Sequence, residues 1–196
     1  MVTSHDVDVP GLLAGFHDDY PGVEITLTED RSGRLTDDVR TGRLDAAIVS
    51  LATGARPEGL DVLVLTDQAI VAAVGLADEW AGRAEVALES LWTRPLISLP
   101  EGTGLRARLD EAFAARGLTP RIGFEAGHPA VLADLAARGL GVAILPESVP
   151  AARADLHPLA IIDPPLRGCL ALAWRAEGPV SPAARVFLDR ARATLR

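Results

Sequence analysis

"LPEGTGLRARLDEAF", residues 99–113, joins the end of an apolar, strand-like run to a helical pattern through Gly102, Gly104 and Ala107. That spacing matches a dinucleotide fingerprint, in which a glycine turn brings the N-terminus of a helix against a pyrophosphate. It equally suits any helix N-terminus that receives an acceptor, because unpaired backbone N–H groups and the positive end of the helix dipole face outward there. A dinucleotide fold wants this loop in its first β-α-β unit, with an acidic residue ~20 positions later. Here the loop lies mid-chain, Glu125 falls at about that distance, and the half around it holds too few strands for a full dinucleotide fold. The second reading is preferred. Thr103 would then cap the helix while its free N–H groups meet a carboxylate or similar acceptor; a plain capping residue with no ligand is the alternative.

Working outward, "RPLISL" before this turn reads as a strand. Beyond the helix, closed by Gly117, come strand "RIGFEA", helix "AVLADLAAR" closed by Gly139, and strand "GVAIL". "GLGVAI" at Gly139 follows a helix and is a turn. Further on are "HPLAIID", the Pro164-Pro165 break and strand "CLALAWR". Ser181 suits an N-cap and Pro182 the first helical position, so "SPAARVFLDRARATL" should be a helix whose Val186, Leu188 and Leu195 help cover a sheet.

Upstream, Leu12, Leu13 and Phe16 recur at helical spacing and "VEITLTE" alternates like a strand. "LTDDVRTG" offers a short helix ended by Gly42, and "DAAIVS" a strand. "LDVLVLT" and "QAIVAAVG" read as two further strands leading to Gly75, and "LADEWAGRAEVALESLW" as loop and short helix. Strands alternating with helices predict an α/β fold with mainly parallel sheets, in two series that separate near Gly75.

Composition narrows the function classes. With 196 residues, 48% of them hydrophobic, the chain can bury a sizeable core. No stretch approaches the ~20 unbroken apolar residues of a membrane helix, and the start lacks the features of a secretory signal, so the expected location is the cytoplasm. A formal charge of −8 argues against direct binding to a phosphate backbone. Cys169, the only cysteine, excludes an internal disulfide and reads as a core residue.

His5, His17, His128 and His157 show no metal-ligand spacing, so neither a metal nor another cofactor is expected. No serine sits in a nucleophile elbow, and no catalytic constellation emerges. Trp80, Trp92 and Trp174 read as packing residues, and Asp18, Asp19, Asp37 and Asp38 as solvated surface.

What recurs is a small hydroxyl where a strand runs out: Thr3 and Ser4 before the first helix, Ser32 after "ITLTED", Ser50 after "AAIV", Thr103 after "LISLPEG", with His128 after "GFEAG". Ligands of α/β sheets bind at strand carboxyl ends, and hydroxyls with helix N-termini suit a small polar molecule. The pattern fits binding better than turnover.

In order and wording, "VPGLLAGFHDDYPGVEITLTEDRSGRLTDDVRTGRLDAAIV", "RPLISLPEGTGLRARLDEAFAARGLTPRIGFEAGHPAVLADLAARGLGVAILPE" and "LALAWRAEGPVSPAARVFLDRAR" resemble the effector-binding domain of LysR-type transcriptional regulators. The resemblance covers nearly the whole chain. It implies two Rossmann-like lobes joined by two crossovers, like type 2 periplasmic binding proteins. Lobe I would be residues 1–75 plus 165–196 and lobe II residues 76–164, with a small-molecule effector in the cleft.

Carried over by motif, Thr3, Ser4, Ser32, Ser50 and the Glu101, Gly102, Thr103 turn would line that pocket, with His128 facing it. With serine at position 50, where a larger or basic residue would favour anions, the resemblance leaves anion preference open. It also implies a homodimer, or a tetramer when intact, and DNA binding only through an N-terminal winged helix-turn-helix that this chain does not contain. A solute-binding protein of a transporter shares the build and is the alternative; an enzyme on the fold, such as a prephenate-dehydratase-like protein, would need the catalytic groups that are missing.

Overall fold

The computed structural model describes residues 8–51, 54–178 and 181–195. The chain divides into two compact units, Met1–Thr66 with Cys169–Arg196, and Asp67–Gly168. Each is a mixed α/β unit with its own core.

In the first unit, helices α1 (Val9–Asp19) and α2 (Ser32–Arg40) precede strand β1 (Ala47–Leu51), which pairs antiparallel with β8 (Leu166–Arg175) from Ala47↔Ala173 to Leu51↔Cys169. The period of two in a strand sorts the side chains. Ala47, Val49 and Ala173 join Leu35 and Val39 of α2, while Leu172 and Trp174 join Leu12 of α1 and Leu188 and Ala191 of α7 (Pro182–Thr194). This α/β/α layering follows from the alternation alone.

Ser181 caps α7, its Oγ accepting from the Ala184 N–H at 3.1 Å, and Pro182 opens the helix. Leu188 is buried and Leu195 partly so, but Val186 is exposed, one position off the stripe that meets the sheet. Phe187 instead packs edge-on against Phe16 of α1, with ring centroids 5.3 Å apart.

Two expectations fail here. Residues 24–30 form no strand, and Ile25 and Leu27 are exposed. The alternation is present, yet a ladder needs a neighbour, and among the described residues no strand lies beside this segment. "LDVLVLT" and "QAIVAAVG", read as two strands, are one, β2 (Leu60–Gly75), because the intervening polar Asp67 and Gln68 do not interrupt an extended backbone. Strands β2 and β8 are the two segments by which the chain passes from one unit to the other.

The second unit contains the remainder of β2, then β3 (Glu85–Ala87), α3 (Leu88–Leu91), β4 (Leu96–Ser98), α4 (Gly104–Ala114), β5 (Ile122–Glu125), α5 (Pro129–Ala137), β6 (Val142–Pro146), α6 (Ser148–Ala151) and β7 (Leu156–Ile162). Strand β4 is parallel to both β5 and β6. Strand β2, however, is antiparallel to β6 and to β7, so the expectation of mainly parallel sheets holds only for part of this unit. Ala72, Ala73 and Val74 are wholly buried, as an apolar run covered on both faces should be. Cys169 and Trp174 of the first unit and Trp80 of this one are buried as expected, whereas Trp92, just past the short α3, is exposed.

Beside Trp80, the Asp78 carboxylate accepts from Arg94 Nη2 at 2.6 Å and Nη1 at 3.1 Å, and from the Trp80 N–H at 2.9 Å. The Arg94 guanidinium also stands 4.6 Å from the Trp80 ring centroid. Chiefly the Arg94 hydrogen bond, against an opposing burial penalty, holds the Asp78 carboxyl below its usual range. A carboxyl depressed in the folded state stabilises above its unfolded pKa and loses that contribution as pH falls through the lower, folded value. Asp78→Asn is therefore expected to cost about 1 kcal/mol at neutral pH. The gap to the unsubstituted chain should close as pH falls below about 4, measured by denaturant unfolding at several pH values.

Candidate functional site

Each group of expected site residues begins with the backbone that places it. In the first unit, Ser32 opens α2 and Ser50 lies near the end of β1. The Ser50 N–H donates to Ser32 Oγ at 3.1 Å, and Thr36 Oγ1 donates to the Ser32 carbonyl at 2.7 Å. The two serines are thus brought together, at a strand carboxyl end and a helix start. Thr3 and Ser4 lie outside the described residues.

In the second unit, β4, β5 and β6 run in one direction, so the turn after β4 and the start of α5 after β5 share the carboxyl edge of the parallel strands. Residues Pro100 to Thr103 make the turn. Gly102 takes φ +85°, a conformation with no penalty for glycine, and the Thr103 N–H returns to the Pro100 carbonyl at 3.3 Å. Thr103 is the N-cap of α4 by position but makes no side-chain cap bond; its Oγ1 donates to the Pro100 carbonyl at 2.8 Å instead. The expectation that its hydroxyl caps the helix is corrected by that competing local acceptor. The first-turn N–H groups of α4 receive nothing from it.

His128 does cap its helix: Nδ1 accepts from the Ala130 N–H at 3.2 Å at the start of α5. That bond gives it a structural task at an exposed position.

Two polar residues that the sequence does not single out stand next to this turn. Ser98, the last residue of β4, is wholly buried, and its Oγ has no hydrogen-bond partner among the described residues. Arg106, in the first turns of α4, is buried with a relative exposure of 7%. Its Nε donates to Asp110 at 2.9 Å, its Nη1 to Glu125, and its Nη2 lies 3.5 Å from Glu101. Burial opposes the charge on Arg106, but the hydrogen bonds to Asp110 and Glu125 outweigh it and raise the pKa further. Glu125, which stands where a dinucleotide fold would place its ribose-binding carboxylate, is held by this arginine.

Arg106 and Asp110 look from the sequence like an ordinary i,i+4 pair on a solvated helix face. The bond from the guanidinium to Glu125, at the end of β5, appears only in the folded chain. For Ser98 a faint signal exists, a polar residue closing an apolar strand. Among the described residues no group of three His, Cys, Asp or Glu could hold a metal ion, and no helix is long and apolar enough to cross a membrane.

This geometry can be set beside known proteins. The family profile described as the LysR substrate binding domain matches residues 3–196. The HTH-type transcriptional regulator YybE of Bacillus subtilis is 25% identical over 179 residues, which is 91% of this chain and 61% of that protein. The chain therefore spans under two thirds of that relative's length.

Among solved structures, the CcmR regulatory domain of Synechocystis PCC6803 in complex with 2-PG superposes with a TM-score of 0.75 at 23% identity, covering 96% of this chain and 91% of that one. The effector binding domain of QuiR in complex with shikimate gives a TM-score of 0.70 at 24% identity, over 94% of this chain and 88% of that one. At these identities the two superpositions speak for the fold, which is that of type 2 periplasmic binding proteins, and the profile speaks for descent. The chain belongs to the LysR substrate-binding domain family.

Proposed function

We propose that this chain senses a small polar effector and, within a longer transcriptional regulator, biases how that protein holds DNA. Support comes from the family, from the regulators among its relatives, and from the effector-bound domain of QuiR as a structural neighbour. The observation that carries the reading is the gathering of hydroxyl and amide groups at strand carboxyl ends and helix starts: Ser32 with Ser50 in one unit, and Glu101, Gly102 and Thr103 beside buried Ser98 in the other. His128 joins the proposal through its place at the same edge of the second unit. Thr3 and Ser4 belong to it by motif alone.

Groups of this kind hold a ligand by hydrogen bonds, with no nucleophile or acid–base pair to transform it, so we propose binding without turnover and without a cofactor. The chain would pair as a homodimer, or form a tetramer in the intact regulator, in the cytoplasm, with DNA held by a helix-turn-helix domain elsewhere in the intact protein. Coupling requires only that the effector prefer one arrangement of the protein over another.

A thermal-shift screen of small metabolites tests this directly, since a ligand at about a hundredfold excess over its Kd adds about 2.7 kcal/mol to the folded state. With a hit in hand, Ser32→Ala and Thr103→Val are each expected to weaken binding about tenfold by calorimetry, the loss of roughly one hydrogen bond. The ligand-free unfolding midpoint should move little. Unchanged affinity in both variants would refute the proposed site.

A further inference from the structure

The α4 N-terminus in the second unit gathers three carboxylates around one guanidinium. Helix α4 opens at Gly104 with no side-chain cap, which by itself favours an anion through a partial charge of about +0.5. Arg106 adds a full positive charge, but it faces Glu101, Asp110 and Glu125. One guanidinium against three carboxylates leaves an excess of two negative charges, about four times the helix term and opposite in sign.

Ser98 ties this cluster to a binding role. In the β4–β5 ladder Ser98 stands opposite Glu125, and residues opposite one another in a ladder point to the same face. The Glu125 carboxylate reaches Arg106 on α4, so that face is the one beneath the first turns of α4, and the Ser98 hydroxyl points there too. Ser98 is wholly buried with no hydrogen-bond partner among the described residues, and a buried hydroxyl without a partner costs ~1–3 kcal/mol. It offers one donor and two acceptor lone pairs.

We propose that this end of the second unit takes an amine or hydroxyl group of the effector and excludes phosphates and carboxylates. The inference rests on the effector-sensing reading and names the chemical class it implies. An ammonium or hydroxyl donor finds Ser98 Oγ and the outward carboxylate of Glu101 as acceptors. A phosphate would meet the same carboxylates and gain little from Arg106, because each polar nitrogen of that guanidinium already faces one. The carboxylates are partly solvated, so the exclusion weakens with added salt.

The test is a pair of NMR titrations of the whole chain at low ionic strength, following the amide signals of Ser98 and of residues 102–107. Ethanolamine is one probe and inorganic phosphate the other. Ethanolamine is expected to shift these signals and phosphate to leave them in place. In Glu101→Gln/Glu125→Gln the order should reverse, with phosphate affinity rising about tenfold. Should the double variant not fold, Glu101→Gln alone serves, since that side chain is 76% exposed, and it should gain phosphate response in the same direction.

Phosphate shifts in the unsubstituted chain, an order that the substitutions leave unchanged, or silence from both probes would each overturn the inference. These outcomes differ from failure of the effector-sensing reading, which is decided by whether Ser32→Ala and Thr103→Val weaken binding of a screened effector.

Discussion

Phe113→Ala is expected to lower the stability of the second unit by about 4 kcal/mol. Phe113 is wholly buried, and it packs in the core with Leu105, Leu109 and Ala112 of the same helix. Its carbonyl accepts from the Arg116 and Leu118 N–H groups, each at 3.0 Å, so the backbone that closes α4 is pinned at this residue and cannot collapse into the space left behind. The cost is then the lost transfer energy of the ring plus an unrelieved cavity. For a chain of this size each kcal/mol lowers the melting temperature by about 3 °C, which gives a fall of roughly 12 °C by thermal denaturation. A midpoint within a few degrees of the original would mean that α4 is not anchored as described.

Gly141→Ala is expected to cost about 3 kcal/mol for a different reason, overpacking against backbone. A Cβ at Gly141 would stand 2.5 Å from the Pro95 carbonyl oxygen and 3.3 Å from Ile97 Cγ1. The next residue, Val142, donates its N–H to that same Pro95 carbonyl at 3.0 Å, and Leu96 lies opposite Val142 in the β4–β6 ladder. The methyl group can be admitted only by prising these strands apart, and β4 is the strand that ends at Ser98 and leads into the 100–103 turn. Denaturant unfolding should therefore show a shifted midpoint, and effector affinity should fall as well. Gly127→Ala, where a Cβ meets nothing within 4 Å, is the control and should leave both unchanged.

Much of the local architecture is written in short-range chemistry. Ser181 and Pro182 announce the start of α7, and Gly42, Gly117 and Gly139, all at positive φ, mark the turns where helices close. These signals involve neighbours within about one helical turn, so a sequence displays them completely. The alternation in β1 and β8 likewise predicts which side chains meet α2 and which meet α1 and α7.

Other features depend on partners far along the chain. Val23 to Glu29 has the alternation of a strand, but pairing requires a second strand at its edge, and residues 24–30 join no ladder among the described residues. Thr103 has the right type and place for a cap, yet the Pro100 carbonyl, brought round by the glycine turn, takes its hydroxyl. In the candidate site, Ser50 lies near the end of β1 as expected, but the strand expected before Ser32 does not form, and the hydrogen bond that joins the two serines spans 18 positions, across all of α2. Ser98 left only a faint signal and Arg106 none, because the burial of each is a tertiary property.

From sequence alone came the family, the α/β alternation and the helix ends, all properties of residues and their near neighbours. The direction of β2 against its neighbours, the burial of Ser98 and the carboxylates gathered on Arg106 were decided only in three dimensions. The reason is that burial and charge balance are sums over everything within a few ångströms, and in a folded sheet most of that neighbourhood comes from distant stretches of chain.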